Sequence, residues 1–299
     1  TQFWLPAEPA ARRRQAITVD VKLFTEKLDW LRHVWLANGF ELTVEASVTE
    51  AVKASRQEDT KFKDLLEEDQ SRHAGATIEI PGLKKNLTRQ QHENILNLLD
   101  MPNGANFSVP GAGKTLTTLS VWRTLVNKSQ LQKMLVVAPR SAFHAWEDEQ
   151  KSFVNGSSVF RYSGDLLPAS AEIVLVNYEQ LENPRKVEHL KSWINDSKTM
   201  LVLDEAHRIK GGGTSVRWRA CRYLSTYAAR TEILTGTPMP QGQGDVIALY
   251  SVAWPRVQQK TLVSGLGTAK RGTIFVRTTK DELDLPAVEY QVIAHEPSP

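Results

Sequence analysis

The run Pro110-Gly111-Ala112-Gly113-Lys114-Thr115 carries the strongest chemical signal in this chain. Glycines at 111 and 113 let backbone N–H groups close around an anion. The helical pattern that follows (Leu116, Leu119, Trp122, Leu125, Val126) brings its unpaired amides and positive dipole end to the same place. In such a loop Lys114 reaches the β and γ phosphates of a nucleotide, and Thr115 offers a hydroxyl to the magnesium ion those phosphates carry. Ser108 stands where the full G-x-x-x-x-G-K-[ST] pattern has its first glycine.

Downstream, Asp204-Glu205-Ala206-His207 follows the apolar run Met200–Leu203. An Asp-Glu pair alone is an acidic strand end capping the next helix. Combined with a phosphate-binding loop, it supplies a metal residue, Asp204, and a water activator, Glu205. Leu234-Thr235-Gly236-Thr237-Pro238 again follows an apolar run, and its two hydroxyls suit hydrogen bonds to the His207 region that pass a change at the γ phosphate to neighbouring loops. The candidate catalytic set is therefore Lys114, Asp204, Glu205 and His207. Thr115 and Asp204 are the metal candidates, and Thr235, Gly236 and Thr237 the coupling residues.

These residues need a scaffold that delivers several loops to one edge. Short β-rich runs at Lys133–Ala138, Glu172–Val176, Thr199–Leu203, Thr231–Leu234 and Thr273–Val276 are almost continuously apolar, as strands buried on both faces of a parallel sheet require. Helical stretches separate them, which predicts an α/β domain with its ligands at the carboxyl ends of the strands. Ile80-Pro81-Gly82 marks the turn into this domain, taken as residues 81–299. Residues 1–80 read as a mainly helical accessory region. There Ile17–Val21 has the look of a short strand, and Leu23 to Trp35 recur at helical spacing up to Gly39. Ser47-Val48-Thr49-Glu50 has the capping-box form ahead of a charged helix striped by Val48, Ala51, Val52, Phe62, Leu65 and Leu66. The basic run Arg12-Arg13-Arg14 reads as a solvated surface segment.

With 299 residues, 41% hydrophobic and 24% charged, the chain has the composition of a soluble globular protein. Its net charge of +3 is compatible with nucleic acid without demanding it. The single cysteine, Cys221, excludes an internal disulfide and a cysteine metal cluster, and reads as a small buried helix residue. No apolar run approaches the roughly 18 residues of a membrane helix, so the expectation is a soluble intracellular protein of cytoplasm, nucleoid or nucleus without a membrane partner. The start at Thr1 reads as a processed or excised piece.

The order GxGKT, DEAH, TGTP resembles the superfamily-two helicases, and within them the SWI/SNF-like class of DNA-translocating ATPases. Leu87-Thr88-Arg89-Gln90-Gln91 is similar to the class's adenine-recognising segment, which makes Gln91 the adenine reader, with Gln90 in the usual aromatic position. Leu135 to Ser141 with Trp146 and Glu147 resembles the first DNA-contact motif, and Val174 to Glu179 the next. Arg208-Ile209-Lys210 matches the basic continuation after DEAH, and Phe275 to Lys280 followed by Leu285-Pro286 the segment that closes the first lobe. Pro240-Gln241-Gly242 and the triple glycine 211–213 depart from the class pattern.

The resemblance implies a RecA-like sheet, ATP and magnesium as cofactors, and double-stranded DNA as partner through Arg140, Ser141, Asn177 and Lys210, with Trp146 as packing. It also implies a second RecA-like lobe in cis, absent from this chain, that carries arginine fingers. Residues 1–80 remain free for a protein partner. Two readings compete with the translocase: a restriction-type or RNA-directed superfamily-two motor, and a nucleotide-dependent binding module without turnover.

Overall fold

The computed structural model describes residues 2–5, 15–18, 46–68, 71–154, 156–164, 167–168, 170–209, 215–238 and 242–283. Strands β1 (Gln2–Leu5) and β2 (Gln15–Thr18) form an antiparallel pair. The helical spacing of Leu23 to Trp35 falls outside the described residues.

Six strands, β3 (Gly104–Asn106), β4 (Lys133–Val137), β5 (Val159–Arg161), β6 (Ile173–Val176), β7 (Thr199–Asp204) and β8 (Arg230–Leu234), form one sheet in the order β3-β8-β7-β4-β6-β5. Every pair is parallel. β6, β7 and β8 are buried along their whole length; the apolar runs of β6 and β7 require it, while β8 carries Arg230 and Glu232, buried as an ion pair at 2.7 Å. Asn106 lies opposite Leu234, and Leu234 opposite Asp204, so the last residues of three adjacent strands form one row. The loops leaving that row carry the candidate residues.

Two strands of this sheet were not legible in the sequence. β3 is Gly-Ala-Asn, without a β-branched residue, and takes its conformation from pairing with β8. A Cβ at Gly104 would come within 2.8 Å of Leu98, so the glycine lets the strand pass close to the preceding helix. β5 is short and only half-buried. In contrast, the strand expected at Thr273–Val276 is mostly a turn, because Gly272 adopts φ +88° and Thr273 Oγ1 donates to the Lys270 carbonyl. Only its end straightens, and Val276 and Thr278 hydrogen-bond along the outer edge of β3 and the loop after it.

Helix α1 spans Ala46–Glu67. It begins at Ala46, one residue ahead of Ser47. The expected stripe holds: Val48, Phe62 and Leu65 are buried. Then come α2 (Arg89–Asp100), α3 (Lys114–Asn127), α4 (Phe143–Gln150), α5 (Pro184–Asn195), α6 (Val216–Ser225), α7 (Gln243–Ala253) and α8 (Gln259–Leu266). α1 packs against α7 and α8. Phe62 meets Trp254 edge to face at 5.2 Å, and a Cβ at Gly265 would collide with it at 2.7 Å. Asp59 Oδ1 accepts the Gln258 N–H just ahead of α8, at 2.8 Å. Cys221 is buried on α6, and that burial pushes its thiol far up from the ordinary range. Among the described residues no helix is long and apolar enough to cross a membrane.

Candidate active site

The loop between β3 and α3 is shaped by its glycines. Gly111 and Gly113 adopt φ +86° and +77°, the left-handed region where a side chain is strained. Gly113 occupies the N-cap of α3 and offers no side-chain acceptor, so the first amides of the helix face the loop without a cap. A Cβ at Gly111 would meet nothing within 4 Å, which leaves that side of the loop open. Lys114, the first residue of α3, folds back so that its Nζ donates to the Ser108 carbonyl at 3.1 Å.

Ser108, in the place of a glycine, has a use of its own. Its hydroxyl accepts the Thr278 N–H at 2.8 Å, and its N–H donates to Asn106 Oδ1 at 3.1 Å. Asn94 Nδ2 in turn donates to Thr278 Oγ1 at 3.0 Å. The loop is thereby tied to the segment that runs beside β3. Gln91 sits beneath it: its Oε1 accepts the Thr88 N–H in a capping box, and its Nε2 donates to the Ala112 carbonyl at 3.3 Å. A Cβ at Gly113 would lie 2.3 Å from that same Nε2, so a side chain there would push the Gln91 amide off the Ala112 carbonyl.

Asp204 ends β7 and is 7% exposed. Its Oδ1 accepts the Glu205 N–H and its Oδ2 the Trp146 indole N–H, both at 2.9 Å. The Tyr178 hydroxyl donates to its main-chain carbonyl at 2.7 Å. Burial holds the carboxyl above the usual carboxylate range, opposed by the Trp146 hydrogen bond and by the Lys114 charge. The Lys114 effect puts the two ends of the site within electrostatic reach. Trp146, taken as packing in the sequence, therefore also acts as a donor. No spacing rule marks it, because the contact joins residues on α4 and β7.

Glu205 adopts φ +49°, which costs a non-glycine residue about 1–2 kcal/mol and turns its side chain toward His207. Glu205 Oε2 lies 3.3 Å from His207 Nδ1. The same nitrogen lies 3.2 Å from Thr235 Oγ1 and 3.5 Å from Thr237 Oγ1, so the expected link between the two turns is present. Gly236 closes the circuit: a Cβ there would come within 3.1 Å of Pro110 and 3.6 Å of the Ser108 carbonyl. Three loops from β3, β8 and β7 thus touch in one place.

The residues expected to contact DNA separate. Arg140 and Ser141 are exposed on the short turn Arg140–Ala142 at the end of β4. Asn177 is 2% exposed, and its side chain caps the turn Tyr178–Glu182 by accepting the Gln180 N–H at 2.9 Å. A side chain spent in this way has no surface to offer a phosphate. Lys210 falls outside the described residues, as do the triple glycine and Leu285-Pro286.

A parallel sheet with flanking helices and its candidate loops gathered at the carboxyl ends of adjacent strands defines an α/β nucleotide-binding layout of the RecA-like kind found in the solved cores described below. Residues 79–262 match the SNF2-related domain, and the chain belongs to that family. Helicase SWR1 of Candida albicans is 27% identical over 194 residues, 59% of this chain and 11% of that protein. In human SWI/SNF-related matrix-associated actin-dependent regulator of chromatin subfamily A member 1, 167 residues are 27% identical, covering 52% of this chain and 15% of the relative. The chain thus spans a small part of the curated relatives it matches. Among solved structures, the Sulfolobus solfataricus SWI2/SNF2 ATPase core in complex with dsDNA superposes with a TM-score of 0.54 at 20% identity, over 68% of this chain and 46% of that one. The same core domain without DNA gives 0.56 at 21%, over 70% and 47%. These two likenesses establish the fold.

Proposed function

We propose that this chain is the nucleotide-binding first lobe of a SNF2-type ATPase that moves along double-stranded DNA. The observation that carries the reading is the convergence of the Pro110–Thr115, Asp204–His207 and Thr235–Thr237 turns on one row of strand ends. The relatives' names, helicase and regulator of chromatin, and the duplex bound to a solved core of this fold support it.

The residues fit magnesium and ATP. The open side of Gly111 and the uncapped start of α3 suit a triphosphate. Thr115 and Asp204 are oxygen donors, and a magnesium ion carried by phosphates needs only one or two such protein ligands. When bound, the ion would neutralise charge building on the phosphates. Lys114 would leave the Ser108 carbonyl for the β and γ phosphates, while Gln91, held beneath Ala112, would meet the base through the amide hydrogen and lone pair that its bonds to Ala112 and Thr88 leave over. Glu205, at the open end of the site beside His207, would orient or deprotonate the attacking water. His207 would report the state of that water to Thr235 and Thr237. Duplex DNA would be held at Arg140, Ser141 and Lys210 through its phosphates, with little sequence preference. Transition-state charge on the far side of the nucleotide needs arginine fingers, worth on the order of 10³ to 10⁵ in rate, and a second lobe in cis would bring them. A protein partner would be met through residues 1–80.

The test is Glu205→Gln in a chain that carries both lobes. ATP affinity is expected to hold while DNA-stimulated phosphate release is lost; release at the parental rate would remove Glu205 from its role.

A further inference from the structure

We infer that Trp146 is a positioning residue for Asp204, fixing through its indole N–H the orientation in which that carboxylate meets magnesium. The inference rests on the nucleotide site proposed above and adds a residue to it. Trp146 is 1% exposed and donates to Asp204 Oδ2 at 2.9 Å, while the other oxygen, Oδ1, is held by the Glu205 N–H. A carboxylate has about four lone-pair positions, so two remain for a metal or its water. With each oxygen held from within the protein, the group cannot rotate freely about its last bond.

Packing alone does not account for this donor. The indole nitrogens of Trp122, Trp193 and Trp254 are buried without a hydrogen-bond partner, and Trp218 donates to the Ala248 main-chain carbonyl. Among the described residues, Trp146 is the tryptophan whose N–H goes to a carboxylate. Its helix, α4, follows the exposed Arg140–Ala142 turn directly. The group that holds Asp204 therefore stands on the helix that directly follows the candidate DNA contacts Arg140 and Ser141.

The experiment is a calorimetric titration of ATP into the full 299-residue chain, in magnesium and in excess EDTA. It compares the parent, Trp146→Phe, and a chain in which the Trp146 indole is replaced site-specifically by its benzothiophene isostere, which keeps the shape and lacks the N–H. Loss of a group that orients a metal ligand typically costs about 10–100-fold in metal affinity. Both altered chains should lose about that factor of the affinity gained from magnesium, with affinity in EDTA unchanged and the isostere chain still unfolding cooperatively, at a midpoint lowered by one buried hydrogen bond. If Trp146→Phe does not fold, the isostere decides. A magnesium dependence equal to the parent's in the isostere chain would overturn the inference and leave the nucleotide site standing. A parent without any magnesium-dependent ATP affinity would overturn the site and the inference together.

Discussion

His207 Nδ1 lies 3.2 Å from the Thr235 hydroxyl, so one imidazole joins the turn after β7 to the turn after β8. Thr235 is fully buried, and its oxygen also accepts the Thr237 N–H at 3.2 Å. In a chain with both lobes, Thr235→Val is expected to leave ATP affinity unchanged and lower DNA-stimulated turnover roughly tenfold, the equivalent of one hydrogen bond. His207→Ala added to it should cost little more, because the two residues act as a unit. Steady-state phosphate release on both single variants and the double variant checks this; additive losses would separate their roles.

α1 is bonded into the same body as the sheet. Phe62 fills the space between Trp254, Tyr250 and Gly265, and Ser55 Oγ donates to the Arg256 carbonyl at 2.6 Å. We expect Phe62→Ala to cost about 3–5 kcal/mol in chemical denaturation. Removing residues 1–80 should destabilise the remainder far more than removing 1–45, since the longer deletion takes Phe62 off Trp254. Equal midpoints for the two deletions would place the domain boundary at residue 80 after all.

Arg140 is exposed and Asn177 is not. Arg140→Ala should weaken duplex binding evenly across sequences and reduce the slope of log affinity against log salt by about one. Asn177→Ala should leave that slope unchanged and act on the stability of the Tyr178–Glu182 turn. Fluorescence anisotropy across a salt series distinguishes the two; a reduced slope in Asn177→Ala would restore it as a contact.

What the sequence revealed of this molecule depended on how local the cause was. The positions of the Pro110–Thr115 loop, the Asp204 strand end and the Thr235–Thr237 turn follow from glycines and apolar runs within a few residues and were legible, whereas the bonds that hold them come from Thr278, Gln91, Trp146 and His207, far away in sequence. β3 was hidden because Gly104, Ala105 and Asn106 have no strand preference and are held by β8. Thr273–Val276 misled in the opposite way: its side chains favour a strand, and Gly272 turns the backbone first. Trp146 looked like core because burial and hydrogen bonding leave the same trace in sequence, and only the fold brings α4 to Asp204. Asn177 looked like a surface contact by position, yet its capping bond to Gln180, three residues on, was open to a local reading.

The central claim is that the loop after β3 holds the phosphates of ATP, and equilibrium binding of a fluorescent ATP analogue to this chain and to Lys114→Ala tests it most directly. Among the described residues Lys114 donates to the loop's own Ser108 carbonyl, so removing it should spare the fold while removing the charge that would meet the β and γ phosphates. The account predicts saturable, magnesium-dependent binding by the parent, competed by ATP, and its loss in a Lys114→Ala chain with an unchanged unfolding midpoint. Equal binding by both chains, or none by the parent, would contradict it.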